Sequence, residues 1–371
     1  MKILINTPDL NKGGGVANYY RTMEDKFLED VEYFTIGSPL GHEGIWKTII
    51  RFIKDNFKFY IKLRNNNYDI VHLNPSLDFK AISRDGIFLL IAKSFHIKVL
   101  VMFHGWNKKF EKLLMKYFLF LFKIIYFKSD AMIVLSSEVK DRLKEWGYKK
   151  NIYLTSTCVN DNLLMDINED SIKAKFVNGR KTLSILFLAR VEEAKGIYET
   201  IEVYKILKNR FGFLKLIIAG EGTEIDNVYN YVVQNKVGDI EFTGYVEGNL
   251  KKQAFIDSDI YIFPTHGEGM PTSVLEAMAF GLPIITRPVG GLKDFFENGK
   301  MGYITESKDP KVFAKLIEKL INDKNKMKEI SIYNHKYAMK HFLASKVVKR
   351  LEEIYKEICY NFFIQRDLRS L

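Results

Sequence analysis

The sequence predicts an α/β protein made of two Rossmann-like, doubly wound domains. Three observations carry this expectation. Short apolar runs of strand length alternate with longer helical patterns, the order expected of a parallel sheet covered by helices. The series breaks off in a polar, acidic stretch near the middle of the chain and then starts again. The length of 371 residues, with 47% hydrophobic and 27% charged side chains, is ample for two cores of ordinary composition.

In the first half, residues 2–6, 31–36, 69–73, 98–103 and 131–135 read as buried parallel strands. The second half repeats the pattern at residues 183–189, 214–219, 240–242, 260–263 and 283–286. The polar residues 160–180 read as the linker. The expected domains are therefore 1–162 and 178–343, followed by a helix and tail over 344–371 that return to the first domain. Ligands of such sheets bind outside the carboxyl ends of the strands.

Composition narrows the function classes. Cys158 and Cys359 stand in unrelated contexts with no metal-type spacing, which fits a reducing compartment. Residues 1–6 are too short an apolar run for a signal peptide. Residues 113–127 are apolar but shorter than a bilayer requires, and they carry Lys116 and Lys123, so they read as not spanning. The net charge of +11 is uneven: 25 Lys+Arg against 17 Asp+Glu over residues 1–162, and 31 against 28 over 163–371. A basic first half suits an anionic membrane surface or a phosphorylated substrate. Nucleic acid is not expected, because no recognition module or Arg-rich stripe is present.

Two glycine clusters follow strands. Gly13, Gly14 and Gly15 precede a helical pattern, where backbone N–H groups can meet a phosphate at a helix N-terminus. A turn needing positive φ reads the same way. The second cluster runs from His266 through Glu268, Gly269, Met270, Pro271 and Thr272 to Glu276, Gly281 and Pro283. It describes a short helix with Pro271 in its first turn and Gly281 at its stop. Glu276 lies among apolar residues and needs a partner, which a ribose diol or another core group can supply.

At this point the sequence resembles a family. The stretch from Glu268 to Glu276 is similar to the E-x7-E motif of glycosyltransferase family 4, retaining enzymes of the GT-B fold in which two Rossmann-like domains face across a cleft. Arg190, Lys195 and Gly196 resemble its Arg-x4-Lys-Gly segment. Residues 134–143 resemble the last strand and helix of its acceptor domain, and Gly13–Gly15 complete four blocks in the family's order. Residues 155–160 depart from it, reading TSTCVN where Pro-Asn-Gly-Val-Asp is usual.

The resemblance implies roles. Arg190 and Lys195 hold the donor diphosphate in place of a metal. Glu276 takes the ribose hydroxyls. Glu268, with the backbone of Gly269, Met270 and Thr272, meets the transferred sugar and its phosphate. Val246, in the segment of Gly244 and Tyr245, meets the nucleobase, and Gly14 and Gly15 complete the donor site. His104, at the end of a first-domain strand, is the active-site histidine. No cofactor or metal is expected. Asp257-Ser258-Asp259 mimics a metal-binding D-x-D, but it enters a buried strand and reads as structural.

The expected enzyme is a retaining hexosyltransferase. It moves a sugar from a UDP- or GDP-linked donor to a glycan acceptor, lipid-linked, in surface polysaccharide synthesis. A sugar-nucleotide epimerase, a phosphorylase or a non-enzymatic membrane-binding protein are the other readings. Lys47, Arg51, Lys54, Lys58 and Lys62 form one helical stripe beside Trp46, Ile50, Ile53, Phe57 and Ile61. Lys109, Lys112, Lys116 and Lys123 form another. Such faces suit peripheral binding to anionic lipid on the inner face of the cell membrane, in a cytoplasmic protein. The other reading packs the apolar column on the sheet and leaves the lysines in solvent.

Overall fold

The computed structural model describes residues 1–37, 44–177 and 182–367. The first sheet contains β1 (Lys2–Pro8), β2 (Asp30–Ile36), β3 (Ile70–Leu73), β4 (Lys98–Phe103), β5 (Ala131–Val134) and β6 (Ile152–Leu154). They lie in the order β2-β1-β3-β4-β5-β6 with parallel pairing throughout. The aliphatic runs of β1, β3, β4 and β5 are buried on both faces, as parallel strands covered by helices must be.

The second sheet contains β7 (Leu183–Leu188), β8 (Leu214–Ala219), β9 (Ile240–Gly244), β10 (Ile260–Phe263), β11 (Ile284–Thr286) and β12 (Gly302–Ile304). The order is β9-β8-β7-β10-β11-β12, again parallel. Every strand read from the sequence is present. The edge strands β6 and β12 were not anticipated: each has three residues, too few to set up a period. This pair of Rossmann-like sheets is the GT-B architecture.

The chain divides into two units, Met1–Ser156 with Ala344–Leu371, and Thr157–Leu343. Two features of the first unit differ from a simple βα series. Its last helix, Ala344–Asp367, is tied in by polar contacts: the amides of Leu28 and Glu29 donate to Glu352 Oε1 at 2.6 and 3.0 Å. The buried Tyr355 hydroxyl lies 2.7 Å from His72 Nδ1. The helix Ile45–Asn65 packs through Phe59 and Leu63, with Phe59 stacked on Phe88 at a centroid distance of 4.4 Å. The apolar column beside the basic stripe faces solvent, with Trp46 75% and Phe57 64% exposed, which rules out the reading that packs it on the sheet.

Residues 160–177, read as part of the linker, carry regular structure. They hold a turn at Asp161–Leu164 and the helix Glu169–Val177, whose Ile172 is buried against Gly281 of the second unit. The expected start of the second domain at residue 178 lies outside the described residues. Among the described residues, no helix is long and apolar enough to cross a membrane. The apolar run at 113–127 is broken by a π turn at Leu114–Phe118 and continues in the short helix Leu119–Tyr126.

Candidate active site

In the second unit the strand order reverses between β7 and β10, which makes a topological switch point at their carboxyl ends. Two loops leave the sheet there. The first carries Arg190 and Lys195; the second carries Glu268. They are joined by backbone, because the His266 amide donates to Ala194 O at 2.9 Å, and the Thr265 hydroxyl donates to the same oxygen at 3.2 Å. The Lys195 ammonium consequently lies 2.5 Å from Glu268 Oε1, both side chains being largely buried. Arg190 stays exposed and is held 2.6 Å from Glu192 Oε1. One loop at the switch point thus carries both cations, each paired with a carboxylate.

Gly290 packs a third loop against this one. An added Cβ there would sit 2.0 Å from Gly269 O, and its φ of +48 disfavours any side chain. The Gly291 amide donates to the same Gly269 oxygen at 2.8 Å. Met270 is buried, and the helix Thr272–Ala279 starts directly after Pro271, which is its cap rather than its first helical residue. Tyr261 fixes that helix to the sheet by bonding Ser273 Oγ at 2.7 Å and Leu188 O at 3.0 Å. No side chain caps the helix, and of its first amides that of Val274 donates to Pro271 O at 3.1 Å; helix N-termini of this kind favour anions.

Glu276 is 5% exposed, and its partner is Lys251, whose ammonium lies 2.6 Å from Oε1. Lys251 was missed in the sequence, where it is one lysine on the helix Gly248–Ile256 with no motif around it. A second cluster was also missed: His266 Nε2 lies 2.7 Å from Glu199, which stands 3.7 Å from the buried Arg287. Val246 is buried just past β9, while Tyr245 is exposed. Asp259 is structural, accepting from the Ser184 amide at 2.8 Å. Among the described residues, no group of three or more His, Cys, Asp or Glu is gathered to hold a metal.

In the first unit, Gly14 takes φ +138 and caps the helix Gly15–Met23, with open space around all three glycines. His104 follows β4, and its Nε2 lies 2.9 Å from Asn74 Oδ1 beyond the end of β3. Desolvation pushes its imidazole down to about 3, so it is neutral at physiological pH.

Comparison with known proteins gives the family. Residues 24–163 match Glycosyltransferase Family 4, and residues 168–337 match Glycosyl transferases group 1. The capsular polysaccharide biosynthesis glycosyltransferase CapM of Staphylococcus aureus is 28% identical over 60% of this chain and 56% of its own length. The putative colanic acid biosynthesis glycosyltransferase WcaL of Salmonella typhimurium is 26% identical over 58% of this chain and 53% of its own. The chain thus spans little more than half the length of these curated relatives. The uncharacterized glycosyltransferase MJ1178 of Methanocaldococcus jannaschii is 24% identical over 96% of this chain and 99% of its own.

Among solved structures, Anabaena Alr3699/HepE in complex with UDP and glucose superposes with TM-score 0.69 at 17% identity, over 96% of this chain and 99% of that one. Sucrose-phosphate synthase from Thermosynechococcus elongatus superposes at 0.74 and 16% identity, over 96% and 98%. With a family 4 domain in the first half, a group 1 domain in the second and the GT-B fold beneath both, this chain belongs to the glycosyltransferases.

Proposed function

We propose that the protein is a retaining glycosyltransferase of surface polysaccharide synthesis that moves a hexosyl group from a UDP- or GDP-linked donor to a glycan hydroxyl. The observation that carries the reading is the group at the β7/β10 switch point: Arg190, Lys195 and Glu268, with Glu276 one helix further on. In this assignment Arg190 and Lys195 neutralise the leaving diphosphate, and the first amides of Thr272–Ala279 take its oxygens. Glu276 accepts from the ribose hydroxyls with the oxygen that Lys251 leaves open. Glu268, with the backbone of Gly269, Met270 and Thr272, meets the sugar. Val246 meets the base by backbone; in the first unit, Gly14 and Gly15 are assigned to the donor and His104 to a sugar hydroxyl.

Retention arises by front-face attack, in which the leaving diphosphate oxygen accepts the acceptor's proton. Catalysis then consists of positioning and of charge stabilisation in the leaving group. The polysaccharide pathways of CapM and WcaL support such a pathway here, and the UDP and glucose bound by HepE support a nucleotide-sugar donor. The acceptor is lipid-linked in this reading, and the protein works from the cytoplasm on the inner face of the membrane. The exposed Trp46, Ile53 and Phe57 beside Lys47, Lys54 and Lys58 favour that setting.

The deciding experiment presents a panel of UDP- and GDP-sugars with and without a glycan acceptor, in EDTA. Transfer that needs the acceptor, gives a product with the donor's anomeric configuration and survives chelation is the expected result. Donor turnover without acceptor would make the protein an epimerase, and a requirement for phosphate in place of the nucleotide would make it a phosphorylase. Activity abolished by EDTA and restored by magnesium would remove the two-cation account.

A further inference from the structure

The first unit contains a buried polar chain behind His104 whose other members the donor-site assignment does not use. It runs from the helix Phe79–Ser94 to the ends of β1, β3 and β4. Arg84 grips Asp85 with two bonds of 2.9 and 2.8 Å, and Asp85 Oδ1 accepts from Asn6 Nδ2 at 2.7 Å. Asn6 Oδ1 accepts from the Asn74 amide at 2.7 Å, and Asn6 O accepts from Asn74 Nδ2 at 2.8 Å. Asn74 Oδ1 then meets both Tyr20 Oη at 2.7 Å and His104 Nε2 at 2.9 Å. Asn6, Asn74 and Asp85 are all buried.

We infer that Asn74, oriented by Asn6 and Asp85, is a positioning residue that holds His104 as its Nε2–H tautomer and makes Nδ1 a hydrogen-bond acceptor for a substrate hydroxyl. Two partners of fixed polarity settle the direction of every bond. A backbone N–H can only donate, so the Asn6 atom facing the Asn74 amide is its oxygen, and its nitrogen turns to Asp85. A backbone carbonyl can only accept, so the Asn74 atom facing Asn6 O is its nitrogen. Asn74 therefore presents its oxygen to His104, and Nε2 must carry the proton.

No described residue bonds Nδ1, and it is not shut away from solvent. The titratable rings against His104 are Tyr19 and Tyr20 of the helix Gly15–Met23 and His72 of β3. Burial of the ring opposes a positive charge on His104. A neutral ring with a bare Nδ1 accepts from a hydroxyl and repels a phosphate or carboxylate oxygen. The group it selects is thus a sugar hydroxyl and not the diphosphate. This inference rests on the reading that His104 belongs to the substrate site.

The test is long-range 15N–1H NMR on the full chain with labelled histidine, the signal being identified with His104→Gln. The expected spectrum shows protonated Nε2 and unprotonated Nδ1, unchanged from pH 8 to pH 5. Asn74→Asp should bring the titration of His104 into that range. Asn74→Ala should mix the two tautomers and lower kcat/KM for the accepted donor by roughly 10–100-fold, the usual cost of losing an orienting partner. Donors lacking one ring hydroxyl, tested in turn, should include one whose loss hurts the native protein far more than Asn74→Ala. A protonated Nδ1, or a native titration near 6.5, overturns the inference even if transfer is observed. The expected tautomer in a protein that turns over no nucleotide sugar leaves the positioning role standing and removes the proposed function. The native spectrum decides alone if a variant fails to fold.

Discussion

Glu276 sits on an eight-residue helix with almost no access to water, and a buried carboxylate there is tolerable only with donors around it. Lys251 is one donor, and the ribose diol of the proposed substrate supplies two more. Glu276→Gln should weaken nucleotide binding by about 1.5–3 kcal/mol, measured by calorimetry on the folded variant. Unchanged affinity would remove the ribose assignment. Lys251→Met leaves the carboxylate without its cation and should lower the melting point more than the double variant Lys251→Met/Glu276→Gln does.

His72 gives a second prediction at this scale. Burial holds its imidazole at about 3 in the folded chain, against an ordinary 6.5. The unfolded chain therefore takes up a proton that the folded one refuses, and stability falls as pH drops below 6.5. At pH 4.5 the loss from this residue is about 2–3 kcal/mol. A His72→Phe variant should lose less stability than the native protein between pH 6.5 and 4.5 in urea titrations. Parallel losses would show that His72 does not contribute to the acid limb.

The helix Ile45–Asn65 is the element whose behaviour follows least from its pattern. It carries two apolar columns, and only the one with Phe59 and Leu63 is used for packing. The other leaves Trp46, Ile50, Ile53 and Phe57 exposed beside Lys47, Lys54 and Lys58. Phe120 and Tyr117 add exposed aromatic surface near Lys116. In the membrane reading each cation contributes roughly 1 kcal/mol near anionic lipid. Co-sedimentation should therefore favour vesicles with anionic lipid and weaken as salt rises. Lys47→Gln/Lys54→Gln/Lys58→Gln should release the protein while transfer to a soluble acceptor analogue persists. Equal sedimentation on neutral and anionic vesicles, or none on either, would leave the cations as a solvated face.

Across the whole molecule, each unit repeats one parallel plan, yet the switch point falls at different strands. The first sheet reverses beside β1 and β3, where Asn6 and Asn74 meet; the second reverses between β7 and β10. The first unit is completed by the helix Ala344–Asp367, whose Tyr355 is fully buried. Tyr355→Ala should cost about 3–5 kcal/mol, the range for truncating a buried aromatic. That loss belongs to the first unit, so calorimetry should show one transition falling and the other holding its temperature. A uniform shift of both would mean that the units unfold together.

Sequence alone determined the two-sheet α/β plan, because buried parallel strands need apolar runs between helices and those runs are local. It also determined the candidates Arg190, Lys195, Glu268 and Glu276, whose spacing within short segments resembles a known motif. Short edge strands such as Ile152–Leu154 escaped because three residues set no period. Only the tertiary structure decided the partners. Lys251 meets Glu276 across 25 residues, Lys195 meets Glu268 across 73, and Asn6 meets Asp85 across 79. It also decided which apolar column of the helix Ile45–Asn65 is covered, since both have helical spacing. A hydrogen bond depends on distance and direction in space, and residues far apart in the chain acquire both only when the sheets form.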